Sequence, residues 1–217
     1  MAGKKIHIKL LLAGVLTGAL LACNRQQPVA EQPRLPYYNG PDFTPVWITA
    51  GSDSINRVHR IAPFQFTDQL GHVVTRQTVN EKPYVANFFF TSCGSICPQM
   101  MKNLKRVLQR YPQVLILSHS VNPETDTVER LQWYARKMQI SSPNWHLLTG
   151  PQGVTYTLAR QSYFAEDEIG FNRDSTDFLH TEHLLLIDGQ QHIRGVYNGT
   201  LQLETDRLSE DIGLLLK

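Results

Sequence analysis

Apolar residues follow two different spacings along the chain. Four apolar runs predict buried β-strands, and stripes of apolar residues three and four positions apart predict amphipathic helices. The predicted strands are 84–90, 114–121, 145–148 and 184–187. The predicted helices are 98–111, 128–138, 151–161 and 203–215. Asp126 and Glu129 fit a capping box at the start of the second helix.

Two hairpins extend this pattern. Residues 58–66 contain an alternating stretch, a turn follows at 68–71, and 72–75 pair back. Near the other end, the strand 184–187 returns antiparallel over 192–197. The order of strands and helices predicts an α/β fold, namely a thioredoxin-like mixed sheet flanked by helices, with an N-terminal hairpin.

The N-terminal segment has the pattern of an export signal. Basic residues precede an apolar run over 10–21, which is shorter than the roughly 20 residues of a spanning helix. Leu20, Leu21 and Ala22 come directly before Cys23. This resembles the lipobox of bacterial lipoproteins, in which the cysteine receives lipid and becomes the new N-terminus. We therefore predict a lipoprotein signal peptide over 1–22 and lipidation of Cys23.

Residues 23–45 are rich in proline, glutamine and other polar residues, which is typical of an extended tether. The aromatic residues near its far end suggest packing onto a domain over 46–217; they are Tyr37, Tyr38, Phe43 and Trp47. An anchored protein of this kind belongs to the bacterial cell envelope, on the periplasmic or outer side of a membrane. The sequence leaves the choice between inner and outer membrane open.

Charge and cysteine content narrow the possible functions. The 21 Lys and Arg nearly balance the 19 Asp and Glu, so no basic surplus points to nucleic acid. Three cysteines exclude a disulfide-rich mini-protein and a zinc site of four cysteines. With Cys23 lipidated, Cys93 and Cys97 remain for chemistry, outside the cytoplasm, where a disulfide can persist.

Cys93 and Cys97 stand between a predicted buried strand and a helix that begins near Pro98. Ligands bind at this edge of an α/β sheet, and the helix N-terminus favours thiolates. Two thiolates can bind a soft ion such as Cu(I) or close into a disulfide. Thioredoxins hold a cis-proline opposite the dithiol, just before a late strand, but in this sequence no proline follows Pro151. His180 occupies the corresponding position before the strand 184–187.

These residues resemble the Sco/SenC family of copper-handling thioredoxin-fold proteins. The family pattern Thr-x-Cys-x-x-x-Cys-Pro appears as 91–98, and Asp-Pro-x-x-Asp-Thr appears as 122–127, with Asn122 in place of the first Asp. A third element is a histidine eight residues before the Asp or Gly that closes a strand. Counting back from Asp188 gives His180. The resemblance covers about 45–217.

The resemblance implies a metallochaperone that binds copper, as Cu(I) or Cu(II), through Cys93, Cys97 and His180. Its implied partner is the cytochrome c oxidase subunit that carries Cu-A, with a copper donor or a thiol reductant as further candidates. The alternative is an enzyme, a thiol–disulfide oxidoreductase that uses Cys93 and Cys97 as catalytic residues. A peroxiredoxin-type peroxidase is disfavoured, because Phe90 replaces the Thr three residues before the first cysteine.

Other residues compete for a role at the site. His183 is the alternative third ligand, but strand alternation places it on the opposite face from His180. His119 is expected to be a structural histidine with its hydrogen bonds satisfied. Met100 and Met101 are possible soft ligands, yet core packing is the favoured role for both.

Overall fold

A computed structural model describes residues 34–49, 51–165 and 181–216. In this part of the chain nine strands form one mixed sheet. The strands are β1 (Tyr37–Tyr38), β2 (Pro45–Val46), β3 (Gln65–Asp68), β4 (Val73–Thr75), β5 (Tyr84–Phe89), β6 (Leu115–Ser120), β7 (Trp145–Thr149), β8 (His183–Ile187) and β9 (Ile193–Asn198). The helices are α1 (Ile96–Arg110), α2 (Val128–Lys137), α3 (Gln152–Gln161) and α4 (Gln202–Leu215).

The sheet order is β2-β1-β9-β8-β5-β6-β7-β3-β4. Strands β5, β6 and β7 run parallel, and β8 pairs antiparallel with both β5 and β9. Every residue of β5 and β6 is buried, including the polar Asn87 of β5 and Ser118, His119 and Ser120 of β6. The predicted α/β mixed sheet with flanking helices is confirmed, and β5, which leads into the cysteine loop, lies near its centre.

Helices and loops cover the two faces of the sheet with separate apolar clusters, in agreement with strand alternation. The first cluster takes Val85 and Phe89 from β5 and contains both cysteines. The second takes Ala86 and Phe88 from the same strand. Burying each large apolar side chain contributes about 1.5–3 kcal/mol. Because Cys93 and Cys97 belong to the first cluster, the dithiol loop lies on that face of the sheet.

The start of α2 differs from the predicted capping box. The N-cap residue is Thr127, whose side chain accepts a hydrogen bond from the Arg130 amide at 3.3 Å. Asp126, one residue earlier, is fully buried and points into the domain. The prediction was wrong for Asp126, because Thr91 and Ser120 donate hydrogen bonds to its carboxylate.

The segment expected to be a tether contributes to the sheet at its far end. Tyr38 of β1 pairs with Ile193 of β9, and the guanidinium of Arg194 lies 3.9 Å from the Tyr37 ring centre. Arg194 also donates to the carbonyls of residues 35 and 36. Trp47 was expected to pack as well, but its side chain is 68% exposed.

The first hairpin is shorter than its sequence pattern indicates. Of the alternating stretch 58–66, only the last two residues belong to β3, and a 3-10 helix, Asp53–Arg57, precedes it. The turn that follows is held by the Asp68 carboxylate, which accepts from the amides of Leu70 and His72. In the described part of the chain, none of the helices has the length and apolar character needed to cross a membrane.

Candidate functional site

The cysteine loop follows β5 and leads directly into α1. Cys93 lies in the loop and is 9% exposed, whereas Cys97 lies in the first turn of the helix and is 3% exposed. Both are free thiols. Ser95 is the N-cap residue of α1 but offers no side-chain hydrogen bond, so the first amides of the helix remain available to a sulfur.

The two thiols differ strongly in acidity. Burial raises the pKa of Cys93, but hydrogen bonds from the Cys97 thiol and from the amides of residues 95–97 outweigh it, so the net pKa lies below its ordinary value. For Cys97, burial and the neighbouring Cys93 raise the pKa to about 12. Cys93 is therefore the more acidic thiol of the pair.

A buried carboxylate holds the start of the cysteine loop. Asp126 accepts from the Thr91 amide at 3.1 Å, from the Thr91 hydroxyl at 2.5 Å and from the Ser120 hydroxyl at 2.6 Å. Arg130 Nε donates to the Thr91 hydroxyl oxygen at 2.9 Å. These bonds join the ends of β5 and β6 to the segment before α2. The sequence predicted a helix-capping role for Asp126 rather than a link between the strand ends. The signal that pointed to a role at the site was its place in the motif 122–127.

The sequence model of the SCO1/SenC family matches residues 52–216. The chain belongs to the SCO1/SenC family. A curated relative, the SCO1 protein homolog of Bacillus subtilis (strain 168), is 28% identical over 159 residues, which are 71% of this chain and 81% of that protein. The family predicted from the cysteine, Asp126 and His180 motifs is thus confirmed.

Solved structures with similar folds belong to the same family. A SCO1/SenC lipoprotein from Bacillus anthracis str. Ames has a TM-score of 0.65 at 24% identity, covering 73% of this chain and 96% of that one. BsSco, described as a member of the Sco family of cytochrome c oxidase assembly proteins, has a TM-score of 0.62 at 26% identity, with coverages of 72% and 93%. Copper-bound ScoI from Bradyrhizobium japonicum has a TM-score of 0.54 at 23% identity, with coverages of 71% and 98%.

The histidines of this SCO1/SenC protein do not all approach the dithiol. His183 begins β8, where Leu184 and Leu186 belong to the first cluster with the cysteines. The His183 ring instead packs edge-on against Phe43, whose side chain packs on the second cluster, with ring centres 5.5 Å apart. His183 is therefore directed away from the cysteine face. His180 and Cys23 lie outside the described residues.

His119 also lies on the second face of the sheet. Its ring is fully buried among aromatic rings, namely Phe64, Phe66, Phe88 and Tyr163. The expected structural role fits this position, but neither ring nitrogen has a hydrogen-bond partner within the described ranges. The expectation of satisfied hydrogen bonds was therefore wrong, because the strand aims this side chain into an aromatic cage.

Cys93 and Cys97 are the candidate sulfur donors among the described residues. Met100 and Met101 are fully buried in the first cluster, where both fill the core. Across 34–49, 51–165 and 181–216, no three or more side chains of His, Cys, Asp or Glu are grouped to hold a metal ion. Two adjacent sulfurs at a helix start are a donor set that suits a soft ion such as Cu(I), and the same pair can form a disulfide.

Proposed function

We propose that this protein is a membrane-tethered copper chaperone of the cell envelope. It binds copper through Cys93, Cys97 and His180 and delivers it to the Cu-A centre of cytochrome c oxidase. A lipidated Cys23 anchors it on the outer side of a membrane. The observation that carries the proposal is the position of two free thiols, Cys93 and Cys97, in the loop and the first turn at the start of α1.

The ligand set follows from the chemistry of the site. Cu(I) prefers thiolates, and the helix amides around Cys93 stabilise negative charge on sulfur. The motif spacing supplies His180 as a third, nitrogen ligand. Family resemblance supports the cargo and the destination, since a copper-bound ScoI and an oxidase assembly protein share this fold.

Copper stoichiometry of the soluble domain tests the ligand set. We expect the reduced domain to bind one copper ion and the disulfide form to bind none, because oxidation removes both thiolates. His180→Ala is expected to lose tight binding while keeping the fold. His183→Ala is the matched control, since its ring packs against Phe43. Loss of binding in His183→Ala but not in His180→Ala would refute the assignment.

The anchor has its own test. Cys23→Ser should move the protein from the membrane fraction to the soluble fraction, because the lipid attachment point is removed. If Cys23→Ser is cleaved and fractionates like the parent, lipidation at Cys23 is excluded.

A second function is thiol–disulfide exchange with cysteines of the oxidase subunit or another partner. The unequal acidity of Cys93 and Cys97 favours it, since a thiolate beside a thiol is the arrangement that attacks disulfides. His180→Ala separates the two functions, because exchange needs no third ligand. If that variant keeps both exchange and copper binding while either cysteine substitution abolishes both, the reductase becomes the better description.

A further inference from the structure

Charge is unevenly distributed over the helices on the cysteine side of the sheet. Helix α1 contains four Lys or Arg residues and no Asp or Glu, whereas the whole chain has a net charge of only +2. Helix α4, which packs beside α1 in the first cluster, contains four acidic residues and one Arg. A basic region therefore adjoins an acidic region on the same face of the domain.

Lys105 joins the basic side of α1 to α2. Its ammonium group donates a hydrogen bond to the carbonyl of Met138, the C-cap residue of α2, at 2.9 Å. Lys102 and Arg106 lie beside Lys105 on α1, and both of their side chains are exposed to solvent. The basic side of α1 is therefore open to solvent next to the end of α2.

Helix α2 carries an exposed tryptophan between two cations. Trp133 is 39% exposed, and its ring centre lies 4.1 Å from the Arg130 guanidinium and 5.0 Å from Lys137 Nζ. Arg130 also donates to the Thr91 hydroxyl oxygen, which links this part of α2 to the start of the cysteine loop. Tryptophan and arginine are the residue types that most often dominate the binding energy of protein interfaces.

No carboxylate among the described residues neutralises these cations. The ion pairs in that part of the chain are formed by Asp68, Asp188 and Glu204, which belong to other segments. Glu129, the acidic residue of α2, lies in its first turn and forms no ion pair with them. Like charges on one surface repel one another, and a negatively charged partner relieves that repulsion. The basic surface comprises Lys102, Lys105, Arg106, Arg130, Trp133 and Lys137.

A protein with an acidic patch fits the basic surface better than a membrane or a second copy of the chain. A bilayer of anionic lipids is a uniformly negative plane, which would repel the acidic α4 on the same face. A second copy offers its acidic α4, but that contact is heterologous and continues into open chains unless its rotation closes a ring. A discrete acidic patch on a different protein avoids both difficulties.

We propose that the copper-accepting domain of the oxidase docks on the basic surface through acidic side chains of its own. The cations attract that domain, and Trp133 supplies the apolar contact at the centre. A partner docked there lies beside the cysteine loop, because Arg130 contacts Thr91. The inference rests on the proposed function and adds to it the chemistry by which the partner is recognised.

Charge reversal on α1 tests the attraction. The probe is the soluble Cu-A domain of the oxidase subunit from the same organism, and its association and dissociation rates are measured by stopped-flow fluorescence. At low ionic strength we expect the double variant Lys102→Glu, Arg106→Glu to associate about 10- to 100-fold more slowly than the parent, because electrostatic steering is lost. Added salt should slow the association of the parent, because it screens exposed charges.

The double variant Lys82→Glu, Arg136→Glu is the matched control. It changes the net charge by the same amount, and both of its side chains are exposed. Lys82 precedes β5, at the end of the strand away from the cysteine loop, and Arg136 lines a cavity with Asp68 on another side of α2. The control should associate within about threefold of the parent, because charges at a distance are screened.

Trp133→Ala tests the apolar contact separately. We expect it to dissociate from the Cu-A domain about 5- to 30-fold faster than the parent, because a central aromatic contact is lost. Its association rate should change less, since the cations remain. Circular dichroism and urea unfolding of each variant show whether its fold is kept.

The outcomes separate the basic surface from the proposed function. If the parent binds the Cu-A domain and passes copper to it at rates that neither salt nor Lys102→Glu, Arg106→Glu changes, the docking surface is refuted and copper delivery stands. If binding shows the expected dependence but no copper is transferred, the docking surface stands and delivery fails. If the parent does not bind the domain, the inference is wrong; binding to phosphatidylglycerol vesicles or self-association that the same reversal abolishes would then identify the occupant.

Discussion

Acid should destabilise this protein through His119. Burial among aromatic rings lowers the pKa of this imidazole from its ordinary value of 6.5 to about 3. At pH values between about 3 and 6.5, His119 is protonated in the unfolded chain but neutral in the folded protein. Stability is therefore fully present above pH 6.5 and is lost as the pH falls from about 6.5 towards 3.

The size of this effect follows from the two pKa values. Each pH unit within the window changes the free energy of unfolding by about 1.4 kcal/mol per proton. Between pH 7 and pH 4.5 the single site then removes about 2 to 3 kcal/mol, a large fraction of the roughly 5–15 kcal/mol of a typical domain. Asp68 and Asp188, whose pKa values are lowered in the fold, add their own loss only at lower pH.

The assay is urea unfolding of the metal-free, reduced domain at pH 7 and pH 4.5, followed by tryptophan fluorescence. His119→Leu has a side chain of similar volume, and we expect it to lose little stability over this interval. At pH 7 it should equal or exceed the parent, because it no longer buries two unpaired nitrogens. Equal acid losses in parent and His119→Leu would show that another group titrates.

Three further predictions concern the site and the N-terminal strand. Asp126→Asn should lower the free energy of unfolding in urea by about 1–3 kcal/mol and raise the alkylation rate of the cysteines, because an amide cannot accept every hydrogen bond that the carboxylate accepts. Cys93→Ala should slow alkylation by iodoacetamide at neutral pH, whereas Cys97→Ala should retain the more reactive thiol with a raised pKa, because alanine offers no donor to the Cys93 sulfur; equal rates in both variants would contradict the assignment of Cys93 as the more acidic thiol. Arg194→Met should speed proteolysis before residue 46, because the carbonyls of the N-terminal segment lose their donor, and it should also lower the free energy of unfolding, because the buried Asp188 carboxylate loses its ion pair; an unchanged cleavage rate would exclude this anchoring role.

The site divides between residues that local sequence identifies and residues that it does not. Cys93 and Cys97 could be assigned from sequence because the buried strand, the loop and the helix start are adjacent in the chain. The Asp126 contact could not, because Thr91 lies 35 residues away and the carboxylate equally suits a helix N-cap. Only the packing of β5 beside β6 brings the two together.

The sequence by itself determined β5 to β9, the four α-helices and the position of the dithiol, but neither β1 and β2 nor the order of the strands in the sheet. Apolar spacing is a local property, and a strand or helix must bury its apolar face whatever lies opposite. The tertiary structure alone decided that His119 lies in an aromatic cage and that His183 packs against Phe43. Those outcomes depend on which side chains from distant segments meet on each face of the sheet, and desolvation then sets their chemistry.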